Sequence, residues 1–283
     1  MTERSRHTLA SGLKFAEAPR WHAGRLWVAD MIGHRVVAID LRGDAEVIAE
    51  FDEEPSGLGF LPDGTPLVVL RQSKLVIRLE SGANRVHADL SGVPCDTLND
   101  MVVDEAGRAW VDAVRMRPAS TEDVGETVVC LEVDGNVRQC IDGLVNPNGL
   151  AIRTSPAELV VAETYAHRLT AFELSDDGTA GQRRTYADLG DASPDGICCD
   201  SGGAVWVASV FTGEFLRVAD GGDVIERVSV GERWAVACAF GGDDRATLFL
   251  LSAETTLETL RQPGGTTSVV ETFEPGVRGA GFP

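Results

Sequence analysis

One pattern recurs six times along this chain, and it restricts the fold more than any other feature. Each copy opens on a small or polar residue and runs through a few mostly apolar positions to a turn rich in Gly or Asp. An apolar, β-rich run follows, then a second pair of strand-like segments. The copies are EAPRWHAGRLWVAD from Glu17, SGLGFLPDGTPLVVL from Ser56, NDMVVDEAGRAWVDA from Asn99, NGLAIRTSPAELVVAE from Asn148, DGICCDSGGAVWVAS from Asp195 and a weaker ACAFGGDDRATLFLLS from Ala237. Their openings lie 39, 43, 49, 47 and 42 residues apart. A bulky apolar residue (Trp27, Leu67, Trp110, Val160, Trp206 or Phe249) falls 10 to 12 residues after each opening. Repeats of roughly 40 to 50 residues, each with about four short strands, are the signature of a β-propeller. The pattern predicts an all-β chain, one six-bladed β-propeller domain over residues 1–283, with blades starting near 17, 56, 99, 148, 195 and 237.

Local chemistry agrees with this reading. Runs such as Val36 to Asp40 and Leu75 to Glu80 have the β-branched richness of strands. The pairs Asp63-Gly64, Asp134-Gly135 and Asp177-Gly178 supply hairpin turns between them. The polar stretch from Arg115 to Glu126 reads as a loop within the third blade. Trp27, Trp110 and Trp206 sit at the repeat marker and are expected to pack between blades.

In a propeller the first strand of each blade lines the central channel, so equivalent positions of successive blades converge on one axis. The opening residues form such a column: Glu17, Ser56, Asn99, Asn148, Asp195 and Ala237. Two carboxylates and two amide oxygens in one column make a hard-cation constellation, suited to calcium, magnesium or manganese, without imidazole or thiolate. Taken one by one, Asn-Gly and Asp-Gly pairs are common turn formers. The joint placement argues for a central metal site, since turns alone do not select one repeat position for oxygen donors.

Charge narrows the partners. The chain carries 44 acidic and 25 basic residues, a formal net charge of −19, which argues against nucleic acid and anionic membrane surfaces. A small-molecule substrate is the expected partner. The opening MTERSRHTLA has no apolar segment like that of a secretory signal, and no run nears the roughly 20 apolar residues of a membrane helix. Six cysteines lack disulfide-framework and zinc-site spacing. Reduced thiols and a cytoplasmic protein are expected.

Several linked segments resemble the regucalcin and gluconolactonase family, also called senescence marker protein. The segment with Glu17 and Trp21 is similar to the family's Glu-x-Pro-x-Trp opening. Leu98 to Val111 resembles its Asn-Asp-x-x-x-Asp-x-x-Gly segment. Asn146 to Ile152 with Val161 to Leu174 resembles its fourth blade, Ser193 to Ser209 its Pro-Asp-Gly segment, and Ala239 to Leu250 its last blade. The resemblance implies a six-bladed propeller with a divalent metal in the channel, held by Glu17, Asn148 and Asp195, with Asn99 as a fourth or water-mediated ligand. Calcium is the first expectation; magnesium, manganese or zinc are the alternatives. It also implies lactone hydrolysis, with Asp195 as the catalytic acid or base. One departure bears on the substrate. Where sugar-lactonase members often carry an Arg two positions before the channel Asn, this chain has Thr97. With Asn99, Thr97 and Arg115 as candidate substrate-binding residues, the expectation is a metal-dependent hydrolase opening a less polar lactone or ester.

Competing constellations are weak. The histidines His7, His22, His34, His87 and His167 are scattered and none falls in the column. Ser209 and Ser252 lie in no G-x-S-x-G context. The remaining alternatives are a metal-dependent phosphotriesterase or aryl esterase, a cyclase or lyase on the same scaffold, and a non-enzymatic calcium-binding propeller, since fold alone fixes no function.

Overall fold

The computed structural model describes residues 5–80, 83–115 and 125–281. Six four-stranded antiparallel sheets form the six blades of a β-propeller. Their innermost strands are Ala16–His22, Pro55–Phe60, Thr97–Val103, Pro147–Thr154, Pro194–Cys199 and Trp234–Gly241, defining blades 1 to 6. In blades 1 to 5 the strands pair in chain order from the channel outwards. Residues 116–124, within the expected blade-3 loop, lie outside the described residues.

Blade 6 differs. Its outermost strand is Arg6–Leu13, from the other end of the chain, paired antiparallel with Thr267–Phe273. This closure ties the two ends of the chain into one sheet and so joins the first and last blades. Periodicity did not reveal it, because the closing strand is a single strand lying before the first full copy.

The period of two along each strand sends alternate side chains to opposite blade faces. Apolar clusters therefore fill all six inter-blade interfaces. Trp110 and Trp206 are fully buried there. Trp27 is partly buried, edge-on to Phe60 at 5.2 Å. The expected Asp-Gly turns are present: Gly64, Gly135 and Gly178 all have φ between 77 and 86°, and the Asp63 carboxylate accepts from the Thr65 N–H at 2.9 Å. Among the described residues no helix is long and apolar enough to cross a membrane, and the six cysteines are free thiols.

Candidate active site in the channel

Every innermost strand carries a register shift near its start, where one extra residue opposes the second strand. Such bulges re-aim side chains. Counting from the partner of each repeat marker places Glu17, Ser56, Asn99, Asn148 and Asp195 at this bulge in blades 1 to 5. In blade 6 the same count gives Val236, one residue before Ala237; both are buried and apolar, so that blade offers no side-chain oxygen.

The glycines that follow the column residues are not turn glycines. Gly57, Gly149 and Gly196 lie within strands and none has a positive φ. A Cβ on Gly57 would lie 2.6 Å from the Met101 nitrogen, on Gly149 2.3 Å from the Asp195 carbonyl oxygen, and on Gly196 2.5 Å from the Ala237 Cβ. Glycine is required because neighbouring inner strands converge around the channel, bringing backbone against backbone.

This close approach assembles a polar cluster. The Asn99 Nδ2 donates to Asn148 Oδ1 at 2.9 Å and lies 3.4 Å from Asp112 Oδ2. The Asn148 Nδ2 donates to Thr164 Oγ1 at 3.2 Å. Thr164 Oγ1 in turn donates to the Pro194 carbonyl at 2.7 Å. Arg71 Nη1 donates to Asn99 Oδ1, and Ser56 Oγ to the Asn99 carbonyl. Across the channel Arg20 reaches from blade 1 to blade 3, pairing with Asp100 Oδ1 at 3.3 Å and donating to the Met101 carbonyl.

Electrostatics separate this cluster from a solvated surface. Burial, then the charges of Asp195 and Asp100, push the Glu17 carboxyl well above its ordinary range, with Arg71 pulling the other way. Asp195 is pushed up to about 8 by burial and the Asp100 charge, against the Asn148 hydrogen bond and Arg71. Asp112, fully buried, is pushed well above the ordinary range by burial and then by Asp100. Its Oδ1 has no hydrogen-bond partner among the described residues. Asp195 also raises the Tyr165 hydroxyl, after burial.

When ionised, the carboxylates of Glu17, Asp100, Asp112 and Asp195 face the guanidinium groups of Arg20 and Arg71, leaving two negative charges uncompensated. Burying unpaired charge is costly. A divalent cation is the counter-charge this cluster lacks, and the available donors are oxygens. Among the described residues no three His, Cys, Asp or Glu side chains group closely enough to hold a metal by themselves. The Asn148 oxygen has to complete a ligand set with Glu17 and Asp195, exchanging its Asn99 donor for the ion, while Asn99 Oδ1, which accepts from Arg71 Nη1, would reach the ion through a water. With that exchange the residues fit a hard cation.

The other two expected substrate residues, Thr97 and Arg115, have these surroundings. Thr97 is buried, its hydroxyl 2.9 Å from the carbonyl oxygens of both Arg71 and Leu98, so it serves the backbone. Arg115 lies just beyond the second strand of blade 3, its backbone N–H donating to Glu126 Oε1 at 2.8 Å and its guanidinium beside Gly125. Asp112, Arg71 and Thr164 were not picked out from the sequence, although a signal exists. Two residues past each marker the copies read Ala29, Val69, Asp112, Ala162, Ala208 and Leu251; four residues past, Met31, Arg71, Val114, Thr164, Val210 and Ala253. Polar residues in otherwise apolar columns mark the blades that feed the site.

A bulged channel rim that gathers oxygen donors from five blades defines a propeller with a polar, cation-compatible central site. The chain belongs to the SMP-30/gluconolactonase/LRE-like family, whose model matches residues 15–254. It is 27% identical to a 6-deoxy-6-sulfogluconolactonase of Pseudomonas putida, over 84% of this chain and 82% of that protein. It is 25% identical to a pentonolactonase of Haloferax volcanii, over 85% and 82%. Among solved structures it is similar to a calcium-binding regucalcin of Agrobacterium tumefaciens, with a TM-score of 0.78 and 21% identity, covering 98% of this chain and 95% of the other.

Proposed function

We propose that this member of the lactonase family opens a lactone by metal-assisted hydrolysis at the channel cluster. The observation that carries the reading is the convergence of the oxygen donors of Glu17, Asn99, Asn148 and Asp195 at one bulge position of successive inner strands. A divalent ion held by Glu17, Asn148 and Asp195, with Asn99 as a further donor, supplies Lewis-acid polarisation of a carbonyl when bound. Calcium is the expected ion, in keeping with the regucalcin described as calcium-binding; magnesium, manganese and zinc are the alternatives. Lactone chemistry is in keeping with the two relatives named as lactonases.

The chain's own residues do the rest. Asp195, buried at the channel bulge, takes a proton from the attacking water and returns it to the ring oxygen as the ester opens. Asn148, held by Asn99 and Thr164, favours the ionised form of Asp195. The nine-tenths burial of Asp195 and Thr164 excludes bulk water from the proton transfer. Thr97 in place of the family's arginine favours a less polar lactone, whereas the polar groups around the cluster favour one that carries polar substituents. Reduced thiols favour a cytoplasmic setting.

The test is hydrolysis of a lactone panel, with and without a chelator, by the wild type and Asp195→Asn. Metal-dependent turnover that Asp195→Asn lowers by about a thousandfold supports the reading. Turnover unaffected by the chelator, or near wild-type rates in Asp195→Asn, overturns it. Organophosphate turnover without lactone turnover favours the phosphotriesterase alternative, and metal binding with no hydrolysis favours a calcium-binding propeller.

A further inference from the structure

Resting on that lactonase reading, we propose that Arg71 is the specificity-determining residue, its guanidinium donating to an acceptor oxygen carried as a substituent on the lactone. Arg71 follows the second strand of blade 2, Pro66–Leu70, and is only 8% exposed. Its backbone is fixed on both sides. The N–H donates to the Glu54 carbonyl at 3.1 Å, and its own carbonyl accepts from the Leu98 N–H at 3.2 Å and from Thr97 Oγ1 at 2.9 Å. Its Nε lies 3.4 Å from Glu54 Oε2, and Arg261 of the blade-6 segment faces the other Glu54 oxygen. Glu54 is thereby shared, which leaves Arg71 less than a full counter-charge on that side.

The far end of the side chain turns to the cluster. Nη1 donates to Asn99 Oδ1, and the charges of Glu17, Asp112 and Asp195 act on the guanidinium. No hydrogen bond engages Nη2 among the described residues. A guanidinium has five N–H donors in a rigid fork, so donors remain for a ligand.

The placement also accounts for Thr97. A threonine stands where an arginine would enter from blade 3, and its hydroxyl supports the backbone of the arginine that enters from blade 2. The cationic donor is supplied to the same cluster from a different strand end. A site with prepared, buried donors discriminates against a ligand that leaves them unpaired, more strongly than an apolar pocket discriminates by size.

The experiment compares three five-membered lactones: γ-butyrolactone without substituents, gulono-1,4-lactone with hydroxyls, and glucaro-1,4-lactone with hydroxyls and a carboxylate. In Arg71→Met the ratio of kcat/KM for gulono-1,4-lactone over γ-butyrolactone falls at least tenfold, mainly through KM, and guanidinium ion restores part of it in Arg71→Ala. A larger fall for glucaro-1,4-lactone than for gulono-1,4-lactone identifies the acid oxygen as the preferred acceptor; an equal fall identifies the hydroxyl. An unchanged ratio, or a loss of turnover with no change in the ratio, overturns the proposal. Binding is measured separately by calorimetry with the open-chain products gulonate and glucarate on wild type and Arg71→Lys. Weakening by about tenfold supports the role of Arg71 even if no lactone in the panel turns over, which would count against the hydrolase reading alone. Unaltered binding, or no binding to the wild type, overturns it.

Discussion

Replacing Gly149 with alanine tests the fold and the site together. A Cβ at this position would lie 2.3 Å from the Asp195 carbonyl oxygen, 2.7 Å from the Ile197 nitrogen and 2.8 Å from the Gly196 Cα. Ordinary van der Waals contact for such a carbon begins near 3.4 Å, so the shortfall runs from about 0.6 to about 1.1 Å against three atoms. All three belong to backbone, and no side chain can rotate to relieve them. The inner strands of blades 4 and 5 must part, and overpacking of this kind costs about 1–3 kcal/mol, occasionally more. With backbone on every side, a loss of about 3 kcal/mol is expected in urea unfolding. Gly181 serves as control: its Cβ would meet only the Glu173 carbonyl oxygen at 3.7 Å and its φ is not positive, so Gly181→Ala should change stability by less than about 1 kcal/mol. The segment displaced by Gly149→Ala carries Asp195. A shift near 1 Å in a catalytic group can lower turnover by about a hundredfold. If Gly149→Ala costs less than about 1 kcal/mol, the inner strands do not approach as closely as described. If stability falls while folded variant retains full turnover, Asp195 is not where the chemistry happens.

Other outcomes can be checked independently. Burial and the Asp100 charge push Asp195 up to about 8 in the fold from its ordinary 3.8; the folded state therefore holds its proton more tightly, and metal-free stability falls as pH rises through that window. Relative to Asp195→Asn, the wild type should lose stability between about pH 4 and 8, and calcium should raise its melting temperature more at pH 8 than at pH 5, since metal and proton compete for the same oxygens. Thermal melts across pH that show the opposite trend would refute this assignment. Asp30, fully buried, accepts from the Lys14 and Phe15 N–H groups at 2.8 and 3.0 Å and from Arg35 Nε at 2.9 Å. Asp30→Ala strands these donors and should cost about 3 kcal/mol in urea unfolding; a loss under about 1 kcal/mol would mean that water replaces the carboxylate.

The repeat made the six blades legible, because each copy must bury alternate apolar side chains against its neighbours and so preserves a period. It also made Glu17, Asn99, Asn148 and Asp195 legible, since residues at one repeat position must converge when blades surround an axis. The glycines after Ser56, Asn148 and Asp195 were legible as a shared spacing within the chain but open to misreading: Asn148-Gly149 and Asp195-Gly196 have the composition of turns, and only the contact between inner strands shows that they are mid-strand.

What tertiary structure alone decided lies between blades. The sequence could place Thr97 beside Asn99 but not next to the Arg71 carbonyl, 26 residues back. Nor could it place Arg20 against Asp100, 80 residues on, or show that Arg6–Leu13 completes the last sheet. Chain periodicity reports which positions are equivalent. The charge balance of the channel depends instead on which non-equivalent side chains reach the axis, and distances across a closed ring are set only when the ring closes.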